Sequence, residues 1–398
     1  MKLRPILVLM SFFACAATAF ADVDFAEINK KFGINILKDA NLFDDTPAEF
    51  AKRLGPKFEK TKVASGEIWT SYAKGKVLGV SLEQMRFKAV GGKVSQVDMV
   101  FFNKGDSAKG DKWSPQMQRQ MKKTHDDLGE QLDSFAGKPV QGTWGYGRVK
   151  NKAQIWTLEN YVFTLEFKPK EFIVLHILPK SAKDGAPADS QKKTVSDDFD
   201  GKVNVKTDEN GDVHIANIPM VDQGPKGYCV PATMERILKY YNIPDVDMHK
   251  IAAACKTNVG GGTTLSGVMN DFKKVCSTFR LKMAKVNGFT LNSISSMIDR
   301  GIPVCWTLFS TDAYMKRMVE NSDKRATANF AEYAKTLKDQ PKIKREMKNA
   351  HLCLIIGYNK KSKEIAVSNS WGEQYSIHWV RFDDAKIIGR DVFFISPR

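Results

Sequence analysis

The stretch Gln223-Gly-Pro-Lys-Gly-Tyr-Cys229-Val-Pro231-Ala-Thr-Met-Glu-Arg-Ile-Leu-Lys-Tyr-Tyr241 constrains this chain more than any other. A Gly/Pro loop delivers Cys229 to the start of a helix whose apolar residues, Val230, Met234, Ile237, Leu238 and Tyr241, recur at helical spacing. Pro231 suits the first turn, where an N–H has no intrahelical partner. The pattern therefore predicts a thiol at the positive end of a helix, where unpaired N–H groups and the macrodipole favour the thiolate.

A thiolate needs a base and a group to orient that base. Two downstream segments supply them: Asn349-Ala-His351-Leu-Cys-Leu-Ile-Ile-Gly-Tyr358 and Ile365-Ala-Val-Ser-Asn369-Ser-Trp-Gly372. Each sets a polar residue at the edge of a short apolar run that reads as a buried strand, with His351 opening one and Asn369 closing the other.

Cys229 on its helix, Gln223 six positions earlier, His351 before its strand and Asn369-Ser-Trp-Gly372 resemble, in that order, the signatures of papain-like cysteine peptidases. The residues flanking the thiol, Tyr228 and Val230-Pro231-Ala232, are nearer to the leader-processing peptidases of bacteriocin exporters, whereas the Asn-Ser-Trp-Gly end is nearer to papain itself. The run Gly260-Gly261-Gly262-Thr-Thr-Leu265 is similar to the glycine pair with which that clan binds substrate backbone. The resemblance covers about residues 213–398. It implies a two-lobed catalytic domain, with a helical lobe and an antiparallel β lobe. It also implies Cys229 as nucleophile, His351 as its proton partner, Asn369 as the imidazole's anchor and Gln223 as an oxyanion donor. Gly261 and Gly262 would lie along the substrate and Trp371 would shield the His351–Asn369 pair, with no cofactor. Cys229 and His351 are expected to rest as an ion pair.

The other histidines and cysteines give no rival chemistry. His214, His249 and His378 lack metal-ligand spacing, and Cys255 and Cys276 belong to no Cys-x-x-Cys pair. Lys2 and Arg4, the apolar run from Ile6 to Ala17 and Ala19-Phe-Ala21 read as a secretory signal peptide, residues 1–21. A secreted or periplasmic protein is expected, and no later run is long enough for a membrane span. Export would remove Cys15 and leave five cysteines, an odd count with Cys229 the natural free thiol. The other four would be two disulfides or small buried hydrophobes. A formal charge of +16 fits either dispersal of a soluble protein or contact with anionic cell-envelope material. Basic and aromatic residues do not interleave as in a nucleic-acid module, so no nucleic-acid partner is expected.

Residues 22–180 contain an internal repeat: helix, glycine, Ile-Trp-Thr at 68–70 and again at 155–157, then two β-rich runs. A duplicated α+β domain with antiparallel sheets is expected. His125 and His176 stand alone there, and Asp126-Asp127 reads as a solvated helix face. Such a domain before a peptidase is either an inhibitory pro-domain, making the chain a zymogen, or a permanent binding module. Residues 181–212 read as a flexible linker. A basic helix-rich insertion between Ser310 and Asn349 is a lid or a solvated surface. The whole is an α+β chain.

These features lead to an exported cysteine endopeptidase acting on peptide or protein substrates. The alternatives are an amidase of peptidoglycan stem peptides, since the same triad cleaves any accessible amide, and a non-enzymatic binding protein built on a peptidase scaffold.

Overall fold

Capping residues and turn glycines divide the first unit into helices and strands. The computed structural model describes residues 23–38, 41–63, 66–107, 113–181, 194–195, 199–224, 226–243, 246–258, 262–264 and 267–398; the expected signal peptide lies outside them. Helix α1 (Phe25–Phe32) opens on Asp24, whose carboxylate accepts from two first-turn N–H groups. Helix α2 (Pro47–Leu54) opens on a reciprocal Thr46–Glu49 capping box. Then come β1 (Glu59–Val63), β2 (Gly66–Ser71), a small hairpin of β3 (Gly75–Val77) and β4 (Val80–Leu82), β5 (Gln84–Val90) and β6 (Lys93–Asn103). A single turn, α3 (Lys104–Ser107), and the long α4 (Pro115–Ala136) precede β7 (Val140–Trp144), β8 (Asn151–Leu158), β9 (Tyr161–Lys168) and β10 (Phe172–Pro179).

These strands form one antiparallel sheet in the order β1-β2-β5-β6-β10-β9-β8-β7. Each half holds one strand more than the repeat in the sequence suggests. The extra strands, β1 and β7, are edge strands; β1 is mostly exposed and polar and β7 buries only Trp144, so no apolar alternation marks them. One face is apolar: Val97 and Met99 of β6, Phe163 and Leu165 of β9, and Leu175 and Ile177 of β10 pack with Phe32, Phe50, Leu128 and Leu132 of the helices. The alternate residues, Asp98, Glu166 and His176, point the other way, and all three are buried.

The second unit begins inside the segment expected to be linker. Val195 is buried and donates to the Phe279 carbonyl at 3.3 Å, and the Phe199 ring meets Tyr241 edge-on at 5.0 Å. Strand β11 (Val205–Thr207) then pairs with β12 (Asp212–Ile215). Two apolar anchors in a polar stretch are enough to fix that segment to the core.

After β12 come α5 (Cys229–Tyr240), α6 (Met248–Ala254), a π-helical turn at Gly267–Phe272, α7 (Lys273–Thr278), β13 (Leu281–Lys285), α8 (Leu291–Ile298) and β14 (Val304–Phe309). The basic insertion is α9 (Asp312–Thr327) and α10 (Phe330–Asp339). Strands β15 (Ala350–Asn359), β16 (Glu364–Ser368) and β17 (His378–Arg381) follow, then α11 (Phe382–Ile388) and β18 (Gly389–Pro397). The sheet runs β11-β12-β15-β14-β18-β13, with β16 on β15 and β17 on β16. Met234, Ile237, Leu238 and Tyr241 of the Cys229 helix join Val304, Trp306, Leu354 and Ile355 of the strands in one core.

The two units meet through the buried polar face of the first sheet. Asp98 accepts from Arg86 at 3.0 Å and from His176 at 2.7 Å, and Arg86 also binds Asp247, the residue that caps α6. Glu166 accepts from Asn151 at 2.7 Å and lies 3.4 Å from Lys250 of α6, while His176 stacks on Trp144 at 4.0 Å. His176 therefore does not stand alone, as its sequence neighbours suggested. Burial by itself would raise the Asp98 carboxyl, but His176 and Arg86 hold it well below the usual range. The junction is a fully desolvated charge network, which is costly to break by removing one member.

Candidate active site

Helix α5, like the short α7 and α11, opens without a side-chain cap, unlike most helices of the fold. Helices α1, α2, α4, α6, α8, α9 and α10 each open on a residue whose side chain accepts a first-turn N–H. Helix α5 opens on Tyr228, which makes no such bond. The first-turn donors remain for the Cys229 sulfur, towards which the backbone N–H groups of Val230 and of Cys229 itself are directed.

Strand register brings His351 and Asn369 to the same place. Leu354 pairs with Ser368 between β15 and β16, so one step further Asn369 comes alongside the start of β15, where His351 sits opposite Leu308 of β14. His351 Nε2 donates to Asn369 Oδ1 at 3.0 Å, which leaves Nδ1 as the nitrogen that can accept. The Trp371 ring stacks on the imidazole at 4.2 Å with an interplanar angle of 22°.

Cys229 reaches this pair across the α5–β15 contact. Thr233, one turn along α5, donates to the Leu352 carbonyl at 3.2 Å, and the Leu352 backbone N–H is directed at the Cys229 sulfur. The thiol therefore lies against the residue that follows His351. Cys229 is half-buried and His351 is buried. Burial pushes the thiol up, against those three N–H groups, and pushes the imidazole down to about 4, against the Asn369 bond. Burial thus works against the charged form of each group, and so against the resting ion pair expected from the sequence.

Gln223 is fixed to the Asn369 loop. Its backbone N–H donates to the Ser370 carbonyl at 2.9 Å, and its side-chain oxygen accepts from the Ser370 hydroxyl at 2.8 Å. That leaves the side-chain NH2, one of whose protons goes to the Lys226 carbonyl at 3.1 Å. Gly262 has φ +71°, and a Cβ there would lie 3.7 Å from the Gly227 carbonyl, so Gly262 lies beside the loop that leads into Cys229. Gly261 lies outside the described residues.

Two supporting residues were not singled out from the sequence. Arg236, fully buried two turns beyond Cys229 on α5, donates to the carbonyls of Pro219 at 2.9 Å, Ser368 at 3.2 Å and Asn369 at 3.0 Å. It thereby joins the segment before Gln223 to the Asn369 loop. A cation on an otherwise apolar helix stripe is the signal that marks it. Met318 of the basic insertion lies with its sulfur 3.9 Å from Asn369 Nδ2, so α9 backs the amide.

Cys229, Cys255, Cys276, Cys305 and Cys353 are all free, and all but Cys229 are buried. Among the described residues no group of three or more His, Cys, Asp or Glu is arranged to hold a metal ion, and no helix is long and apolar enough to cross a membrane.

Residues 215–390 match the model of the Peptidase_C39 like family. That match lies within the second unit, which is thus similar to a C39-like peptidase family. The chain is also similar to the solved structure of xylellain, a cysteine protease from Xylella fastidiosa, at 11% identity and a TM-score of 0.32. That match covers 52% of this chain and 92% of xylellain. No curated protein matches the chain.

Proposed function

We propose that this protein is a cysteine endopeptidase in which Cys229 attacks a peptide carbonyl and His351 shuttles the proton. The observation that carries this reading is the 3.0 Å contact of His351 Nε2 with Asn369 Oδ1: with Nε2–H given to Asn369, Nδ1 is free to take the Cys229 proton. Sulfur bonds to the carbonyl carbon as the thiol proton moves to Nδ1. The Gln223 side-chain N–H and the Cys229 backbone N–H would then meet the oxyanion. Collapse breaks the C–N bond, and His351 returns the proton to the leaving amine. Water next attacks the thioester, giving its proton to His351, and the carboxylate leaves as the thiol is restored. Gly262, with Gly261 beside it in sequence, would let a substrate strand approach closely, and Trp371 would keep water from the His351–Asn369 bond. The matching order of the two halves of the first sheet supports the reading of residues 22–180 as a duplication.

The test is hydrolysis of unfolded protein and of fluorogenic peptides by the native chain, by Cys229→Ala and by His351→Ala. Turnover by the native chain alone, with labelling of Cys229 by an irreversible thiol-reactive peptide, is the expected result. Release of muropeptide fragments without cleavage of any protein would make it an amidase instead. Equal labelling of Cys229→Ala and the native chain would favour a binding protein on a peptidase scaffold. We also infer export, which N-terminal sequencing of the mature protein would check by starting at Asp22.

A further inference from the structure

The loop that carries Gln223 is held from outside the peptidase unit. Lys226 is the centre of this arrangement. Its carbonyl accepts from Gln223 Nε2 at 3.1 Å and from the Tyr228 N–H at 2.7 Å. Its ammonium, on a side chain only 3% exposed, lies 2.8 Å from Oδ2 of Asp106 in the first unit. Asp106 is itself fixed, its N–H donating to Asn103 Oδ1 at 2.8 Å and its carboxylate accepting from Asn103 Nδ2 at 2.7 Å. The neighbouring Gly105 is pressed so closely to the loop that a Cβ would sit 2.8 Å from the Tyr228 ring and 2.9 Å from the Lys226 side chain. Tyr72, on the same unit, donates to the Asp222 carbonyl at 3.3 Å.

We propose that Asp106 is a positioning residue for the oxyanion hole, acting through Lys226 on Gln223. A buried ammonium without its partner is too costly to keep and would turn out to water. The Lys226 carbonyl would move with it, and Gln223 would lose the acceptor that aims its amide. Gly224 and Gly227 offer that loop few side-chain contacts to compensate. The first unit is on this account a permanent part of the catalytic apparatus, and its removal would lower activity. The inference rests on the endopeptidase reading above.

A double-mutant cycle of Asp106→Asn and Gln223→Ala, measured on whichever amide the native chain cleaves, tests it. A displaced oxyanion donor should lower kcat about tenfold with KM changed less than about twofold. The rate of Cys229 alkylation by iodoacetamide, which forms no oxyanion, should be unchanged. In the Gln223→Ala background the same Asp106→Asn change should cost less than about twofold. Equal losses in the two backgrounds, or no loss in the first, would overturn the proposal. Should Asp106→Asn fail to fold, Tyr72→Phe enters the same cycle with the same expected pattern. A native chain that cleaves no amide would end the endopeptidase reading and this inference together. An active native chain indifferent to Asp106→Asn would end the inference alone.

Discussion

Arg236 donates to the carbonyl of Asn369 at 3.0 Å, so the helix that presents Cys229 also holds the loop whose Asn369 binds His351. The two halves of the site are joined through this guanidinium, which also reaches Pro219 and Ser368. Arg236→Met keeps the length of the side chain but leaves three buried carbonyls without their donor. At about 1–3 kcal/mol for each unsatisfied group, a loss of about 3 kcal/mol or more in urea unfolding is expected, with activity lost at temperatures where the chain is still folded. A variant as stable and as active as the native chain would show that the loop is held elsewhere.

Asn369→Ala removes the acceptor that selects the Nε2–H tautomer. The imidazole would then populate the tautomer that cannot take the thiol proton. We expect kcat to fall about a hundredfold with little change in KM. Because Trp371 still stacks on the ring, the fold should lose only about 1 kcal/mol. Steady-state kinetics and urea titration read the two effects separately.

The pH profile follows from burial of the pair. In the proposed mechanism Cys229 and His351 act as a pair whose active form carries one proton between them. Acid adds a second proton and removes the base, so kcat/KM should rise with pH through about 4, where burial has lowered His351. Alkali removes the shared proton, and since burial pushes the thiol up, the falling limb should lie above the ordinary thiol range. An acid limb near 6.5 would show that the imidazole is solvated in the working enzyme.

The same lowering makes stability depend on pH. Unfolded His351 binds its proton near 6.5 but the folded chain only near 4, so the stability contributed by the neutral ring is present above 6.5 and is lost as pH falls towards 4. The size is about 3 kcal/mol. Subtracting the urea stabilities of His351→Gln from those of the native chain isolates this slope, and a flat difference would contradict the burial.

Asp98→Ala would leave Arg86 only Asp247 and His176 only Glu166, and would remove the carboxylate that joins the two in the dry junction between the units. A loss of about 3–5 kcal/mol is expected. Because the network spans both units, the native chain should show a single calorimetric transition, and Asp98→Ala should separate it into two.

How much of this was legible in the sequence follows from how each feature is encoded. Cys229, His351 and Asn369 could be found because each sits at the boundary of a strongly patterned element, and the register of β15 and β16 does the rest. Gln223 was found by its distance from Cys229, but its anchoring by Ser370 and Lys226 is a tertiary matter that no spacing reveals. The buried face of the first sheet was illegible for a similar reason. Asp98, Glu166 and His176 alternate with apolar neighbours, which is the pattern of a half-solvated strand; only docking of α6 makes that second face an interior. Strand β1 was missed because an edge rich in lysine resembles a loop.

The missing side-chain cap at Tyr228 has a consequence for anyone who would improve this protein. Serine, threonine or aspartate at a helix entrance usually strengthens it by about 1 kcal/mol. Here such a change would hand the Val230 amide from the sulfur to an oxygen, so a hardier molecule would be a duller catalyst.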